Sequence, residues 1–324
     1  MLRYVIKRLL WMIPVLLGVS ILVFAIQALA PGDPADLALG DYASNEAKYE
    51  WREEHGLNKP IVVQYGEYMY NLVFKGDFGT SYQTGKPVTE ELLNRLPITL
   101  QTALMASVIA ALIGIPLGIL SAVKRNTWVD STARVFGILG ISMPNFWFAL
   151  LLIMLFAVTL KWFPVSGWYG PLYWILPMMT QGLLGSASQM RYTRSAVLDS
   201  LQQDFVRTAR AKGQAEGKII RHHVLGNALI PIVTNFGHHI AGGMAGTVVI
   251  EQIFSIPGIG TLLISSVNNR DFPQLRGCVL LIALCMSVVN LLVDLSYTAI
   301  DPRIKTRFAS GARKKKKIKQ EAAA

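Results

Sequence analysis

Charge is scarce in this chain of 324 residues: only 16% are Asp, Glu, Lys or Arg, whereas 52% are hydrophobic. A water-soluble domain of this size carries about 25% charged residues, which excludes an ordinary aqueous fold. Cysteine is scarcer still. Cys278 and Cys285 both fall in an apolar run, where a thiol packs as a small hydrophobe, and they provide no disulfide framework. Acidic residues number 20 against 31 Lys and Arg, a net charge of +11, yet the basic residues lie between hydrophobic runs. Nucleic-acid binding would need a basic face with aromatic or motif support, so no nucleic-acid partner is expected. A phosphate-binding loop is also missing. Its nearest approach, Gly79 to Pro87, has five residues between its glycines rather than four, and Pro87 stands where a Ser or Thr would bind magnesium.

Long apolar runs are what the sequence has in quantity. A helix crossing the hydrocarbon layer needs about 20 mostly apolar residues, because its backbone groups must be satisfied internally. Five runs qualify readily: Leu9 to Ala30, Ile98 to Val123, Val135 to Leu160, Ala228 to Ile253 and Val279 to Ile300. A sixth, Leu172 to Met190, is interrupted by Gln181, Ser186, Ser188 and Gln189, as polar groups facing a bundle interior would interrupt it. The opening Met1 to Ala30 ends in Ala28-Leu29-Ala30, like a signal-cleavage site, but its apolar run exceeds the 7 to 15 residues of a signal peptide, which favours an uncleaved first helix. Placing alternate loops on alternate sides puts 22 of the 31 Lys and Arg on one face. That asymmetry predicts a multi-pass protein with both termini in the cytoplasm.

Four regions follow from this pattern: residues 1–30 with the first helix, a polar extracytoplasmic segment at 31–96, a core at 97–303, and a basic cytoplasmic tail at 304–324 attracted to anionic membrane lipid. Segment 31–96 holds 11 acidic and 6 basic residues. Within it, Ser44 to His55 and Ile61 to Phe74 read as short amphipathic helices separated by Gly56 and Pro60 and stopped at Gly76. They suit a cap on the bundle or a docking surface for an external partner. In the core, the basic stretch 191–227 alternates small and cationic residues. Asp204 to Gly213 predicts a short helix ended by Gly213, with a second over Glu216 to Val224.

That stretch resembles the ATPase-coupling loop of permease subunits of binding-protein-dependent ABC importers, in the dipeptide, oligopeptide and nickel branch. The match covers Arg207, Thr208, Ala209, Arg210, Ala211, Lys212 and Gly213, then His223, Leu225, Asn227, Ala228 and Pro231. The opening Met1 to Leu10, Ala30 to Pro34, Ser142 to Trp147, Phe254 to Gly260, and Asn290 to Asp294 followed by Asp301 to Arg303 resemble the same branch in the same order. The resemblance implies an all-α integral membrane protein: six transmembrane helices in the type I importer, MetI-like fold, with an extracytoplasmic segment after the first helix. It also implies a bacterial or archaeal plasma membrane location, a second and different homologous permease, two cytoplasmic ABC ATPases and an extracytoplasmic solute-binding protein. ATP and magnesium would be used by those ATPases, with no cofactor or metal on this chain and no catalysis by it. Two departures stand out. Only Trp168 to Trp174 lie where several relatives carry a longer outward insertion, and Gly226 replaces a frequent Arg.

Within the membrane, Gly114 and Gly118, and likewise Gly242 and Gly246, have the spacing that lets helices approach closely. Pro116, Pro144 and Pro177 predict kinks or openings. The pore or gate candidates are Asn145, Asn235, His238, His239, Glu251, Pro257 and Gly258. Adjacent helical positions diverge by about 100°, so His238 and His239 cannot both face one ion; pore lining and buried packing remain open for them. Glu251 with the Pro257-Gly258 break suits either a gate or a helix cap. Asp294 suits a tie between helices.

The expected function is import of short peptides, with nickel or another small solute as the alternative. A passive channel would not need the coupling loop. A membrane enzyme using His222, His223, His238 and His239 lacks any His-Glu-x-x-His or Gly-x-Ser-x-Gly element.

Overall fold

A computed structural model describes residues 2–29, 32–40 and 42–300. The basic tail 304–324, the Asp301 to Arg303 motif and Ala30 lie outside the described residues. The elements among the described residues are helices: α1 (Leu2–Leu29), α2 (Pro34–Leu39), α3 (Asn45–Glu54), α4 (Ile61–Tyr70) with a π-helical extension Asn71–Lys75, and α5 (Val88–Val123). There follow α6 (Trp128–Ser142), α7 (Asn145–Leu152) continued by the π-helix Ile153–Thr159, α8 (Pro171–Leu201), α9 (Asp204–Ala211), α10 (Glu216–Lys218) with the π-helix Ile219–Val224, α11 (Leu225–Ile253), α12 (Ile259–Asn268) and α13 (Phe272–Ile300).

Local chemistry sets the small helices of the cap. The Ser44 hydroxyl accepts the Ala47 N–H at 3.2 Å and starts α3, which ends at His55 before Gly56 at φ +67°. Pro60 precedes α4, and Gly76 at φ +65° closes its extension. The expected pair of helices is therefore present with the expected stops. The cap is tied to the bundle by Asp271, which accepts from the Ser81 hydroxyl and from the Tyr82 N–H, and by Ser20 and Tyr65, 2.8 Å apart. Helix α5 has 36 residues, about 54 Å at 1.5 Å per residue, against a hydrocarbon layer of about 30 Å. It starts ten residues before the apolar run, so its first turns belong to the cap.

Three helices are long and apolar enough to cross a membrane among the described residues: α1 over Val5–Leu29, α5, and α13 over Phe272–Leu295. The run expected as one crossing, Val135 to Leu160, is two segments, Trp128–Ser142 and Asn145–Thr159, bent by 105°. The cause is Pro144: its ring disfavours the helical region for the preceding residue, and Met143 is extended at φ −78°, ψ 127°. Pro116 and Pro177, by contrast, sit inside unbroken helices. Helices α8 and α11 have 31 and 29 residues but fall short of the apolarity that length and composition require of a span.

The tightest packing joins α5 to α8. A Cβ on Gly114 would lie 2.6 Å from the Ser186 carbonyl, and one on Gly118 would lie 2.6 Å from the Met190 carbonyl. Only glycine allows that backbone approach. The Gly242 and Gly246 pair does not play the same part: Gly242 has open space and Gly246 only the Gln181 amide at 3.6 Å. Beside the α5–α8 contact, Asp130 is fully buried and receives Arg194 Nε and Nη2 at 2.8 and 3.0 Å, with the Ser121 hydroxyl at 2.7 Å. Arg8 pairs with Asp294 across α1 and α13, so Asp294 does tie helices. Cys278 and Cys285 are free thiols on α13.

Candidate functional site

A cleft of about 350 Å³ opens where α7, α8 and α11 meet. The bend at Pro144 brings Asn145 to its wall, α8 contributes Gln181 and Ser188, and α11 contributes His239 beside Gly242, Gly243 and Gly246. The absence of side chains on those glycines makes the cleft, rather than a helix contact. Gln181 Nε2 donates to the Gly243 carbonyl at 3.1 Å, while its Oε1 and His239 Nδ1 have no partner. Buried polar atoms are normally hydrogen-bonded; these two are enclosed in the cleft wall without a partner.

The two histidines point apart, as helical geometry requires. The His239 ring lies against Gly185 of α8, where an added Cβ would meet it at 2.4 Å. His238 is exposed and reaches Asn290 Oδ1 of α13 at 3.3 Å. Asn235 donates to Gln189 Oε1 of α8 at 2.7 Å. Of the sequence candidates, the structure brings Asn145 and His239 to the cleft; Asn235 and His238 make contacts elsewhere. Among the described residues no three His, Cys, Asp or Glu side chains gather to hold a metal ion.

Glu251, Pro257 and Gly258 form a second constellation. Glu251 is fully buried. Its Oε1 accepts the Thr99 hydroxyl at 2.7 Å, and its Oε2 accepts the N–H groups of Gly260 and Thr261 at 2.6 and 3.2 Å. Those N–H groups are in the first turn of α12, which no intrahelical bond satisfies. The carboxyl group thus caps α12 and bonds it to α5. A Cβ on Gly258 would lie 2.5 Å from that carboxyl group, so the break after Pro257 needs glycine for space.

Helix α9 forms a third. Val206 and Ala209 are buried, packed with Ala122, Val197, Ile219 and Val224. Burial of a side chain such as Val206 contributes roughly 1.5 to 3 kcal/mol. The opposite face leaves Arg207, Thr208, Arg210 and Ala211 exposed, followed by exposed Lys212 and Gly213. Of the two small residues, only Ala209 faces the chain's own core. Gly213 has φ +74°, as the expected helix stop demands. Arg210 pairs with Glu216 and holds that carboxyl below its usual range. Stretch 191–227 is more helical than its loop character suggests, because α8 continues to Leu201.

The sequence reading missed three partners: Thr99 for Glu251, Arg194 for Asp130, and the surroundings of Arg276. Glu251 carried a signal, a lone carboxylate in the Ala228 to Ile253 apolar run that announces a partner without naming it, whereas Asp130 and Arg276 stand outside the apolar runs, where nothing local singles them out.

Comparison with known proteins gives a consistent picture. Residues 114–306 match the family described as binding-protein-dependent transport system inner membrane component, and residues 1–103 match its N-terminal membrane-component family. The oligopeptide transport system permease protein AppB of Bacillus subtilis (strain 168) is 41% identical over 315 residues, 94% of this chain and 99% of that protein. The dipeptide transport system permease protein DppB of Alkalihalophilus pseudofirmus is 39% identical, covering 94% and 100%. The glutathione transport system permease protein GsiC of Salmonella choleraesuis is 41% identical, covering 94% and 99%. Among solved structures, an inward-facing form of the MetNI methionine ABC transporter aligns at TM-score 0.55 and 16% identity, over 65% of this chain and 97% of that one.

Proposed function

The chain belongs to the binding-protein-dependent transport system inner membrane components, a permease family that is not itself catalytic, and we propose that it forms half of the pore of an ATP-driven importer of short peptides. Relatives named for oligopeptide, dipeptide and glutathione transport support that solute class. The single observation that carries the mechanism is α9: one face locked into the bundle through Val206 and Ala209, the other offering Arg207, Thr208, Arg210 and Lys212.

In this reading α8 and α11 complete six crossings, their polar residues turned to the solute path, and both termini lie in the cytoplasm. Two cytoplasmic ABC ATPases grip the exposed face of α9, a second, homologous permease completes the pore, and an extracytoplasmic protein delivers the solute. When the ATPases close on ATP, α9 moves with them. Because its apolar face is packed against α5, α8 and the start of α11, the motion passes to the bundle as a rigid displacement. Switching is a two-state equilibrium that each partner biases by binding one state better. The Asn145, Gln181 and His239 cleft offers the peptide hydrogen-bonding groups along the way, and the Glu251 cap keeps the α11–α12 break in register.

The test is uptake of a labelled tripeptide by proteoliposomes holding the permease pair, with binding protein outside and ATP inside. Uptake is expected only when the ATPases are present. Equal uptake without them would contradict the reading and leave a passive channel.

A further inference from the structure

Arg276 is a cation enclosed in the cap with no carboxylate bonded to it, and the nearby buried Asp271 acts on it only through space. It is 9% exposed, and its guanidinium lies 4.5 Å from the Tyr68 ring centroid and 4.9 Å from that of Phe24. Among the described residues no carboxylate pairs with it, and its Nε has no hydrogen-bond partner. The Tyr68 hydroxyl, equally enclosed, has none either. Both residues line one cavity of about 260 Å³ between α4, the loop around Phe78 to Tyr82, and the start of α13. A guanidinium presents donors in a fork that suits a planar two-oxygen acceptor. Two aromatic faces satisfy its charge in part but none of its N–H groups.

We propose that this cavity binds a small monocarboxylate anion between Arg276 and the Tyr68 hydroxyl. The carboxylate accepts from the guanidinium on one oxygen and from the phenol on the other. Burial lifts the Tyr68 hydroxyl to about 12, so it stays a donor. Neighbouring acids select against higher charge. Glu67 at the rim is neutralised by Lys59 at 2.7 Å, and Asp271 behind is held by Ser81 and the Tyr82 N–H. Each added negative charge would face Asp271 as well as Arg276, so a monoanion fits better than a dianionic phosphate. Bound there, the anion bridges the cap to the last span.

The experiment uses the full-length protein in nanodiscs and saturation-transfer NMR with acetate as probe and acetamide, its neutral isostere, as control, at fixed chloride. Acetate is expected to give a signal and acetamide none. Arg276→Gln should abolish it. Tyr68→Phe keeps the ring against Arg276 and removes only the unpartnered hydroxyl, so the protein should fold as before while acetate affinity falls about tenfold, the loss of one hydrogen bond to a charged group. Equal signals from acetate and acetamide, or an acetate affinity unchanged in Tyr68→Phe, would overturn the proposal and leave Arg276 a packing clamp.

Discussion

Replacing Glu251 separates a helix cap from a simple polar contact, because the structure fixes how many donors each substitution strands. The carboxyl group takes three: the Thr99 hydroxyl and the N–H groups of Gly260 and Thr261. Glu251→Leu leaves all three buried and unsatisfied, at about 1 to 3 kcal/mol each, for a total of roughly 3 to 6 kcal/mol after partial relaxation. Glu251→Gln behaves differently. With its amide oxygen turned to the two N–H groups, its NH2 faces Thr99 Oγ1, which already accepts the Ile259 N–H at 2.8 Å and has a second lone pair. Only the Thr99 proton then lacks an acceptor, a loss of about 1 kcal/mol. The assay is thermal inactivation of the purified protein in nanodiscs, followed by loss of the monodisperse peak. Glu251→Leu should fail at much lower temperature than Glu251→Gln. Equal midpoints for the two variants would refute the capping argument. A Glu251→Gln protein that is stable but transports nothing would assign the carboxyl group a role in gating instead.

Three further outcomes are expected. Gly118→Leu should prevent α5 from seating on α8, since even a Cβ meets the Met190 carbonyl at 2.6 Å; the readout is loss of folded protein, with Gly242→Leu, which has open space, tolerated. Arg194→Met should destabilise by less than the roughly 3 to 5 kcal/mol of a fully stranded buried charge, because Asp130 keeps Arg134 at 3.7 Å and the Ser121 hydroxyl, and the double variant Asp130→Asn with Arg194→Met should recover part of that in the same thermal assay. Gly213→Val, at φ +74°, should abolish ATP-linked uptake while membrane insertion persists, whereas Gly213→Asn, which tolerates the left-handed region, should retain most of it.

How much could be read from the sequence depended on whether the signal was local. Ser44, Gly56, Pro60 and Gly76 act on their own turns, so α3 and α4 were legible to within a few residues. Helix α9 was legible too, from small Ala209 and Ala211 between cationic residues and from Gly213, which ends it, although the burial of Val206 was not. Hydropathy, however, averages over a window. It carried the Val135 to Leu160 run straight through Pro144, where a single ring clash bends the chain. Glycine spacing states that a helix has a smooth face without stating what meets it: at Gly114 and Gly118 the answer is α8, and at Gly242 and Gly246 it is the cleft. Partners separated by 64 positions, as Asp130 and Arg194 are, or the enclosure of Arg276 by rings from two other helices, depend on tertiary packing that no local pattern encodes.

Coupled transport depends most on α9 being a cytoplasmic grip for an ATPase. A cysteine in place of exposed Arg207, challenged with a membrane-impermeant maleimide, tests both parts at once. Labelling is expected only after cells are opened, and it should be suppressed when the ATPase subunits are bound. Labelling from outside intact cells, or labelling indifferent to those subunits, would contradict it.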